Sequence, residues 1–316
     1  MEWENQGLVF TTKDLKSIDV NLEFAKSPQY LLVNDKPFFF FTSQKRDAKK
    51  WISLPYWVEM SEDLGSIKKH SYRPVLKQGD LGAFDEHGIF PFSPTKIDDS
   101  NFIGYTTGWS RRKSVDIDMS IGLSLSHDGL TYKKVGKGPL LTHSLDEPML
   151  VGDAFVRKFL GKFYMWYIYG NEWKKDKKTG IPERSYRISQ ATSTDGIDWK
   201  RDGSFVVNQK SVNECQALPS VNFFNNRFHM VFCYRDTFNF RSDTGSSYSI
   251  GYASSTDLLN WNRDDDMVSS LISGDEWDSK MQCYPNIFIH NGSLHCVYNG
   301  NDFGKNGFGL ARVKNI

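Results

Sequence analysis

The sequence predicts an all-β chain that folds as a single five-bladed β-propeller domain spanning residues 1–316. Two observations predict this fold: a strand–turn–strand segment that recurs along the chain, and an aromatic strand that precedes every copy. A third observation, the near absence of helical periodicity, disfavours a two-domain α/β protein. Because strands that recur at a long period build propeller blades, we expect each blade to contain four antiparallel strands.

The recurring segment is a strand, a turn that begins at an aspartate, and a second strand that carries an aromatic residue. Its copies occupy residues 121–132, 188–199 and 250–261, with turn aspartates Asp128, Asp195 and Asp257. Asp followed by Gly, as in the first two copies, favours a tight turn because Gly adopts positive φ without strain. The turns are 67 and 62 residues apart, which leaves room for four strands in each unit.

Two further strands precede each hairpin and complete the predicted blades. The aromatic strands cover residues 102–108, 163–169 and 228–234, and the apolar strands before them cover 89–93, 154–159 and 219–224. Two more units begin near Pro28 and Pro285, and the second of these ends before a fourth strand. We expect Gly7–Phe10 to supply that strand and to close the ring.

Composition limits the classes of function. The formal net charge is +1, so no overall field favours nucleic acid. No apolar run reaches the length of a membrane span, and Met1–Asn5 lacks the features of a secretory signal. The four cysteines form no C-x-x-C pair. We therefore expect a cytoplasmic monomer with no cofactor, no metal, no nucleic-acid partner and no membrane span.

Three acidic residues precede the turn aspartates by 42 or 43 residues: Asp85, Asp153 and Glu214. This spacing predicts that they begin the innermost strands of three successive blades, which converge around the axis of a propeller. Crowded carboxylates raise at least one pKa, and breaking a glycosidic bond needs one protonated and one ionised carboxyl group. The pattern therefore favours a catalytic set in the central pocket over acids that only cap loops.

Several segments carry a resemblance to a known family. They are Gly82–Gly88, Ser193–Trp199, Trp277–Met281 and Tyr298–Gly304, together with the Glu-Cys pair at Glu214-Cys215. With them the chain resembles the five-bladed propeller glycosidases, the clan of glycoside hydrolase families 43 and 32. It is most similar to a family-43-like group whose members resemble parts of bacterial surface-polysaccharide pathways.

The resemblance implies an enzyme that cleaves or transfers a glycosyl group without a cofactor. By this resemblance Asp85 would be the general base, Asp153 would orient and tune the acid, and Glu214 would be the general acid. One departure concerns Asp85, which lies in the second predicted blade, whereas the first aspartate of those hydrolases lies in blade one.

Other residues are candidates for binding the substrate, which would be a sugar, an oligosaccharide or a sugar phosphate. Arg46 and Arg235 each precede an Asp after an aromatic strand, and form either a buried Arg–Asp pair or an anion site. Lys280 aligns with Glu214 and is either a salt-bridge partner or a phosphate ligand. The remaining candidates are His87, Trp109, Tyr284, Asn299 and Asn301.

Two rival functions stay open at this point. A glycosyltransferase or phosphorylase would use a phosphate-bearing sugar donor, with Lys280, Arg46 or Arg235 holding the anion. A propeller without catalytic activity would bind a glycan or a protein partner. An anion beside the cations would favour the first rival, and a flat channel mouth would favour the second.

Overall fold

The structure is a computed structural model that describes residues 1–47, 50–272 and 274–314. It contains five four-stranded antiparallel sheets arranged as the blades of a β-propeller, so the predicted fold class is confirmed. None of the helices in these ranges combines the length and the apolarity that crossing a bilayer requires.

The blades follow one another along the chain. Blade 1 contains β2 (Glu23–Val33), β3 (Lys36–Asp47), β4 (Lys50–Met60) and β5 (Ile67–His70). Blade 2 contains β6 (Ile89–Asp98), β7 (Asn101–Arg111), β8 (Ile117–Ser126) and β9 (Lys133–Lys134). Blade 3 contains β10 (Val151–Phe159), β11 (Lys162–Lys175), β12 (Pro182–Ser193) and β13 (Lys200–Phe205).

The last two blades complete the ring. Blade 4 contains β14 (Glu214–Phe224), β15 (Arg227–Asp236), β16 (Ser249–Ser255) and β17 (Asn262–Arg263). Blade 5 contains β18 (Cys283–His290), β19 (Ser293–Asn299), β20 (Gly307–Val313) and, from the other end of the chain, β1 (Trp3–Thr11). Short helical segments connect some of the strands: α1 (Thr12–Ile18), α2 (Asn301–Gly304) and two 3₁₀ turns (Thr244–Ser246 and Asp265–Leu271).

The N-terminal strand closes the ring, as the sequence predicts. β1 pairs antiparallel with β20 along its length. Trp3 is buried, and its indole N–H donates a hydrogen bond to the Met267 carbonyl at 3.0 Å. Phe10, also buried, stacks on Phe308 with ring centroids 4.9 Å apart. The first strand of the chain is therefore held to the last by hydrogen bonds and by apolar packing.

The repeated turns share one set of hydrogen bonds. In blade 3 the Asp195 carboxylate accepts from the backbone N–H of Ile197 at 2.8 Å and of Asp198 at 2.9 Å. The turn aspartates of blades 2 and 4 do the same. The next residue has positive φ, +79° in Gly196 and +65° in Leu258. Leu258 accepts this backbone strain because its side chain is buried in the core.

Aromatic side chains fill the spaces between neighbouring blades. Between blades 1 and 5, Tyr30 stacks on Phe288 with ring centroids 4.0 Å apart, and Phe39 meets both Phe288 and Phe308 edge-on. Buried apolar clusters join other blades in the same way. Large rings suit the wedge-shaped gaps between twisted sheets, which explains an aromatic content of 15%.

The innermost strand of each blade is bulged near its start. These strands are β2, β6, β10, β14 and β18, which contact one another around the ring. In four of them a residue of the bulge has positive φ, namely Ser27, Asp153, Leu218 and Tyr284. A bulge changes the direction of a side chain relative to the regular strand, and bulges are common at active sites.

Candidate active site

Asp153 lies in the bulge of β10, near the upper face, which is the end of the ring at which the innermost strands begin. The residue is 6% exposed, and its backbone N–H donates to Thr107 Oγ1 of blade 2 at 2.7 Å. Its carboxylate accepts from the Leu218 N–H of blade 4 at 3.3 Å. Asp153 is therefore held by both of the blades that flank its own.

Burial raises the pKa of the Asp153 carboxyl to about 7, against weaker lowering effects of the Leu218 N–H and the Arg184 guanidinium. Among the described residues, no other carboxylate contributes to this shift. The spacing predicts that neighbouring acids raise this pKa. In the structure, desolvation of the Asp153 carboxyl raises it instead. At neutral pH the group is populated in both its protonated and its ionised form, as a proton-transfer group must be.

Asp85 and Glu214 are buried, and each is paired with a cation from the outermost strand of its own blade. Lys134 of β9 pairs with Asp85. Arg263 Nη1 of β17 lies 2.6 Å from Glu214 Oε1. Both pairs join residues 49 positions apart, so the two acids occupy equivalent places. Within the described ranges, neither carboxylate bonds to the other or to Asp153.

Glu147, and not Asp153, has the equivalent place in blade 3. Glu147 is buried just before β10, pairs with Arg201 of the outermost strand β13, and accepts a hydrogen bond from Tyr167. The predicted register is therefore wrong for Asp153. Counting back from the turns misaligned the blades, because the acid and its cation are 54 residues apart in blade 3 and 49 apart in its neighbours.

Two cations without acidic partners belong to this end of the ring, Lys26 beside Phe90 and Arg184 beside Asp153. Lys26 of β2 donates to Gln44 Oε1 at 2.9 Å, and its ammonium lies 5.9 Å from the centroid of the Phe90 ring. Burial lowers the pKa of Lys26 to about 8. Arg184 of β12 is half-buried and close enough to favour the ionised form of Asp153. Neither cation forms an ion pair with a residue that the structure describes.

Four residues around the axis form what we call the axial site: Asp153, Lys26, Phe90 and Tyr284. Phe90 and Tyr284 meet edge-on with ring centroids 5.3 Å apart. Burial is the main cause that raises the pKa of the Tyr284 phenol, and the nearby Asp153 charge adds to it. The axial site therefore combines one carboxyl group, one ammonium group and two rings in a poorly hydrated place.

An aromatic rim borders the axial site in blades 1 and 2. The Arg46 guanidinium lies 4.9 Å from the centroid of Trp51, and that of Arg111 lies 4.8 Å from the centroid of Trp109. Arg111 also donates to the Trp51 carbonyl at 2.6 Å, and the His87 ring lies 5.6 Å from Trp109. Such rings suit the apolar faces of sugars, and the guanidinium groups beside them suit anions.

His87 is uncharged at neutral pH, because burial and the Arg111 charge lower its pKa. Its Nδ1 accepts a hydrogen bond from the backbone N–H of Arg111 at 3.4 Å and lies 3.2 Å from Glu86 Oε1. The Nε2 atom is therefore the one that can meet a ligand. The place beside Trp109 suits the substrate contact predicted for His87.

The two predicted arginines differ in their surroundings. Arg46 is exposed on the rim, whereas Arg235 is buried behind Phe240, whose ring centroid lies 3.7 Å from the guanidinium. Arg235 Nε donates to the Tyr186 and Tyr248 hydroxyls at 3.2 Å each, and its Nη2 is buried without a partner. Among the residues described, no carboxylate pairs with either arginine, so the Arg–Asp alternative does not apply to Arg235.

Lys280 and Asn301 lie elsewhere, in a groove of about 740 Å³ between blades 4 and 5. Lys280 is exposed, and the Asn301 side chain accepts from the backbone N–H groups of Lys280 and Met281 at 2.9 Å each. Phe240 lines the groove on one side and meets Tyr248 on the other. The structure therefore brings these two predicted residues together, but apart from the axial site.

Asn299 joins blades 1 and 5. It is fully buried, and it accepts from the Ser27 N–H at 2.8 Å. Its amide donates to the carbonyls of Ala25 and Gly307 at 2.7 Å each. Both amide hydrogens are used, so the side chain has no donor left for the substrate contact that the sequence predicts.

Comparison with known proteins gives relatives of two kinds. No family model matches the sequence. The chain is 29% identical over 316 residues, covering 100% of both chains, to the uncharacterized proteins Rv1502 and MT1551 of two Mycobacterium tuberculosis strains. Several solved structures resemble this chain in fold, at lower sequence identity and over most of their length.

A structure described as a glycoside hydrolase has a TM-score of 0.75 at 16% identity, covering 99% of this chain and 92% of the other. A thermostable family-43 glycoside hydrolase gives 0.61 at 14% identity, with 92% and 90% covered. The chain has the five-bladed fold of the propeller glycosidases. A β-1,2-mannobiose phosphorylase from Listeria innocua shares this glycosidase fold too, with a TM-score of 0.64 at 11% identity over 97% and 94% of the chains.

Sequence reasoning missed the cations Lys26, Arg184 and Arg111. A usable signal was present, because a proline follows the bulge residue in four innermost strands. The pairs are Ser27-Pro28, Phe90-Pro91, Leu218-Pro219 and Tyr284-Pro285. Aligning these four blades on their prolines puts Ser27, Phe90, Leu218 and Tyr284 level with one another. Blade 3 has Ala154 in place of the proline, so the structure alone shows that Asp153 occupies the same bulge position.

Proposed function

We propose that the chain is a carbohydrate-active enzyme that cleaves or transfers a glycosyl group at the axial site, with Asp153 as the general acid. One observation supports this most: Asp153 is a buried carboxyl group on an innermost strand, with a pKa of about 7. The substrate is a sugar, an oligosaccharide or a sugar phosphate whose ring rests against Trp109 and Trp51.

This proposal gives the acid role to Asp153 instead of Glu214. Glu214 forms an ion pair with Arg263, and Asp85 forms one with Lys134, so each of these carboxylates already has a cationic partner within its own blade. The Asp153 carboxylate accepts a hydrogen bond from the Leu218 N–H and forms no ion pair with a described residue. The base and acid roles that the resemblance implies for Asp85 and Glu214 form the competing assignment, and the experiment below separates the two.

In the proposed reaction, the protonated Asp153 carboxyl gives its proton to the glycosidic oxygen while the bond from that oxygen to the anomeric carbon breaks. The leaving sugar departs as an alcohol. An electron pair of the nucleophile, water or phosphate, forms the new bond to the anomeric carbon. The Asp153 carboxylate is then held by the Leu218 N–H and the Arg184 charge. It regains a proton from the attacking water or, with phosphate, from solvent.

A second candidate function uses a phosphate group, as donor or as nucleophile. The observation that favours it is the pair of cations without acidic partners, Lys26 and Arg184, together with Arg46 and Arg111 on the rim. An uncompensated cation in a poorly hydrated site gains most from an anionic ligand. One protein of the same fold is a β-1,2-mannobiose phosphorylase, which is consistent with this chemistry.

The test compares glycosides with alkyl and dinitrophenyl leaving groups, with and without inorganic phosphate. A dinitrophenolate leaves without protonation, whereas an alkyl alcohol needs a general acid. Asp153→Asn should therefore lose roughly 10²–10⁴-fold in kcat/KM on alkyl glycosides and much less on dinitrophenyl glycosides. Phosphate-dependent release of a sugar phosphate, followed by ³¹P NMR, would select the second candidate.

Glu214→Gln is the matched control for this test. Its kcat/KM per folded molecule should keep the wild-type dependence on the leaving group. If Glu214→Gln shows the leaving-group signature and Asp153→Asn does not, the acid is Glu214 and our assignment is wrong. Binding of sugars without turnover of any glycoside would support the non-catalytic alternative.

The same proposal places the protein in the cytoplasm as a monomer, with residues 1–316 as one domain, acting in the synthesis or modification of a surface polysaccharide. Its four cysteines are buried and unpaired, which suits a reducing compartment. A disulfide-linked or stably dimeric protein after purification would count against this part of the proposal.

A further inference from the structure

A second opening of the propeller lies at its lower face, the end at which the innermost strands finish. A cavity of about 270 Å³ is lined there by all five innermost strands. One residue from each is Tyr30, Thr95, Arg157, Asn222 and Phe288. Because every blade contributes, this cavity lies on the axis of the ring, at the end opposite to Asp153.

Arg157 supplies the charge in this cavity. Its Nη1 donates to the Val156 carbonyl at 2.9 Å, and its guanidinium lies 4.2 Å from the centroid of the Phe155 ring. In the part of the chain that the structure describes, no carboxylate pairs with it. Burial lowers the pKa of Arg157 to about 10, so a charged guanidinium is kept there at a cost in solvation.

The other groups around the cavity strengthen the positive potential. Lys158 lines it and has no acidic partner among the described residues, while Lys96 pairs with Asp99 at 2.7 Å. The Asn222 oxygen accepts from its neighbouring backbone N–H at 2.9 Å, which leaves its amide hydrogens as donors. No Asp or Glu side chain lines the cavity within the described ranges. The cavity therefore offers cations and hydrogen-bond donors and, among the residues described, has no carboxylate that would repel an anion.

We propose that this lower cavity binds a single tetrahedral oxyanion, either inorganic phosphate or the phosphate group of a small metabolite, with Arg157 as its main ligand. The planar guanidinium matches two oxygens of such an anion. The volume of about 270 Å³ lies just under the usual range for organic ligands, so a phosphate with its waters or a small phosphate ester fits. This site does not depend on the reaction proposed for Asp153.

The test is calorimetric titration with inorganic phosphate at constant ionic strength, on wild type, Arg157→Met and Arg312→Met. Met keeps the apolar stem over Phe155, and Arg312 is a surface residue paired with Glu4. We expect saturable binding to wild type and to Arg312→Met, and at least about tenfold weaker binding to Arg157→Met. Equal binding to all three proteins, or no saturable binding to wild type, would overturn the site.

Two additions keep the result interpretable. If Arg157→Met does not fold, Lys158→Ala, which changes an exposed side chain, should weaken phosphate binding severalfold, and unchanged affinity would contradict the proposal. Titration with glucose 6-phosphate separates the two sources of the anion. Tighter binding of the ester than of phosphate identifies a metabolite site, and the reverse identifies a site for the free ion.

Discussion

Glu214 Oε1 lies 2.6 Å from Arg263 Nη1, and both side chains are more than nine-tenths buried. This pair connects the first residue of the innermost strand of blade 4 with the last residue of its outermost strand. In blade 2, Asp85 lies just before the innermost strand β6 and pairs in the same way with Lys134, the last residue of the outermost strand β9. These two acids therefore connect the innermost and outermost strands of their own blades, whether or not they also take part in catalysis.

Breaking the Glu214–Arg263 pair should destabilise the fold. Glu214→Gln leaves the Arg263 guanidinium buried with Asp265, at 3.0 Å, as its remaining acidic partner. We expect a loss of about 2–3 kcal/mol in the free energy of unfolding, at or below the range for broken buried pairs, because Asp265 remains. Urea denaturation measures it. The double variant Glu214→Gln/Arg263→Met should recover part of the loss. An unchanged urea midpoint for Glu214→Gln would contradict a stabilising role of the Glu214–Arg263 pair.

The raised pKa of Asp153 predicts a specific dependence of stability on pH. Its protonated form is favoured in the folded state, so the stability that it contributes is complete below the unfolded pKa near 4 and is lost as pH rises through about 7. Asp153→Asn removes this loss. The variant should therefore gain up to a few kcal/mol over wild type between about pH 4 and 7, measured by urea denaturation at each pH.

A control of opposite sign is available at Asp202. Hydrogen bonds from Ser204 lower the pKa of Asp202, so its contribution to stability is present above the unfolded pKa and disappears as the solution is acidified. Asp202→Asn should be less stable than wild type at neutral pH, with the difference shrinking in acid. If Asp153→Asn behaved like Asp202→Asn, the carboxyl of Asp153 would not be desolvated.

Lys26 should lower the free energy of unfolding, although we expect it to contribute to substrate binding. Its pKa is lowered to about 8 by burial, so the charged form is penalised below that pH, and the penalty disappears as pH rises from about 8 to 10. Lys26→Met should stabilise the protein by about 2 kcal/mol at pH 7, with a gain that shrinks above pH 8, and should raise KM. The exposed Lys69→Met, on the outermost strand β5 of the same blade, should change neither. A less stable Lys26→Met would show that the ammonium is solvated.

The fold was accessible from the sequence because its signals are local. The turn at Asp195 depends on hydrogen bonds to the next two or three residues, and strand alternation is read over a few positions. Closure by Gly7–Phe10 followed from counting strands in the last unit. The turn and the strand pattern recur in several blades, so the fold class is predicted by each of them independently.

The candidate site was accessible only in part, because it depends on contacts between blades. The pKa of Asp153 is set by burial, by Leu218 of blade 4 and by Arg184 of its own blade, and Thr107 of blade 2 holds its backbone. Spacing within one repeat contains no information on such contacts. Spacing also cannot distinguish a buried acid that pairs with a cation, such as Glu214, from one that does not.

Closure by the N-terminal strand gives the last prediction. Trp3→Ala removes a buried indole and its hydrogen bond to Met267, so we expect a loss of about 3 kcal/mol. The loss should fall on β1, and limited proteolysis should cut the first 18 residues before the rest of the chain. Trp199→Ala, which removes an indole bonded to Gly196 within blade 3, is the control and should leave the N-terminus protected. If both variants were cut at the same early sites, β1 would not be the element that Trp3 holds in place.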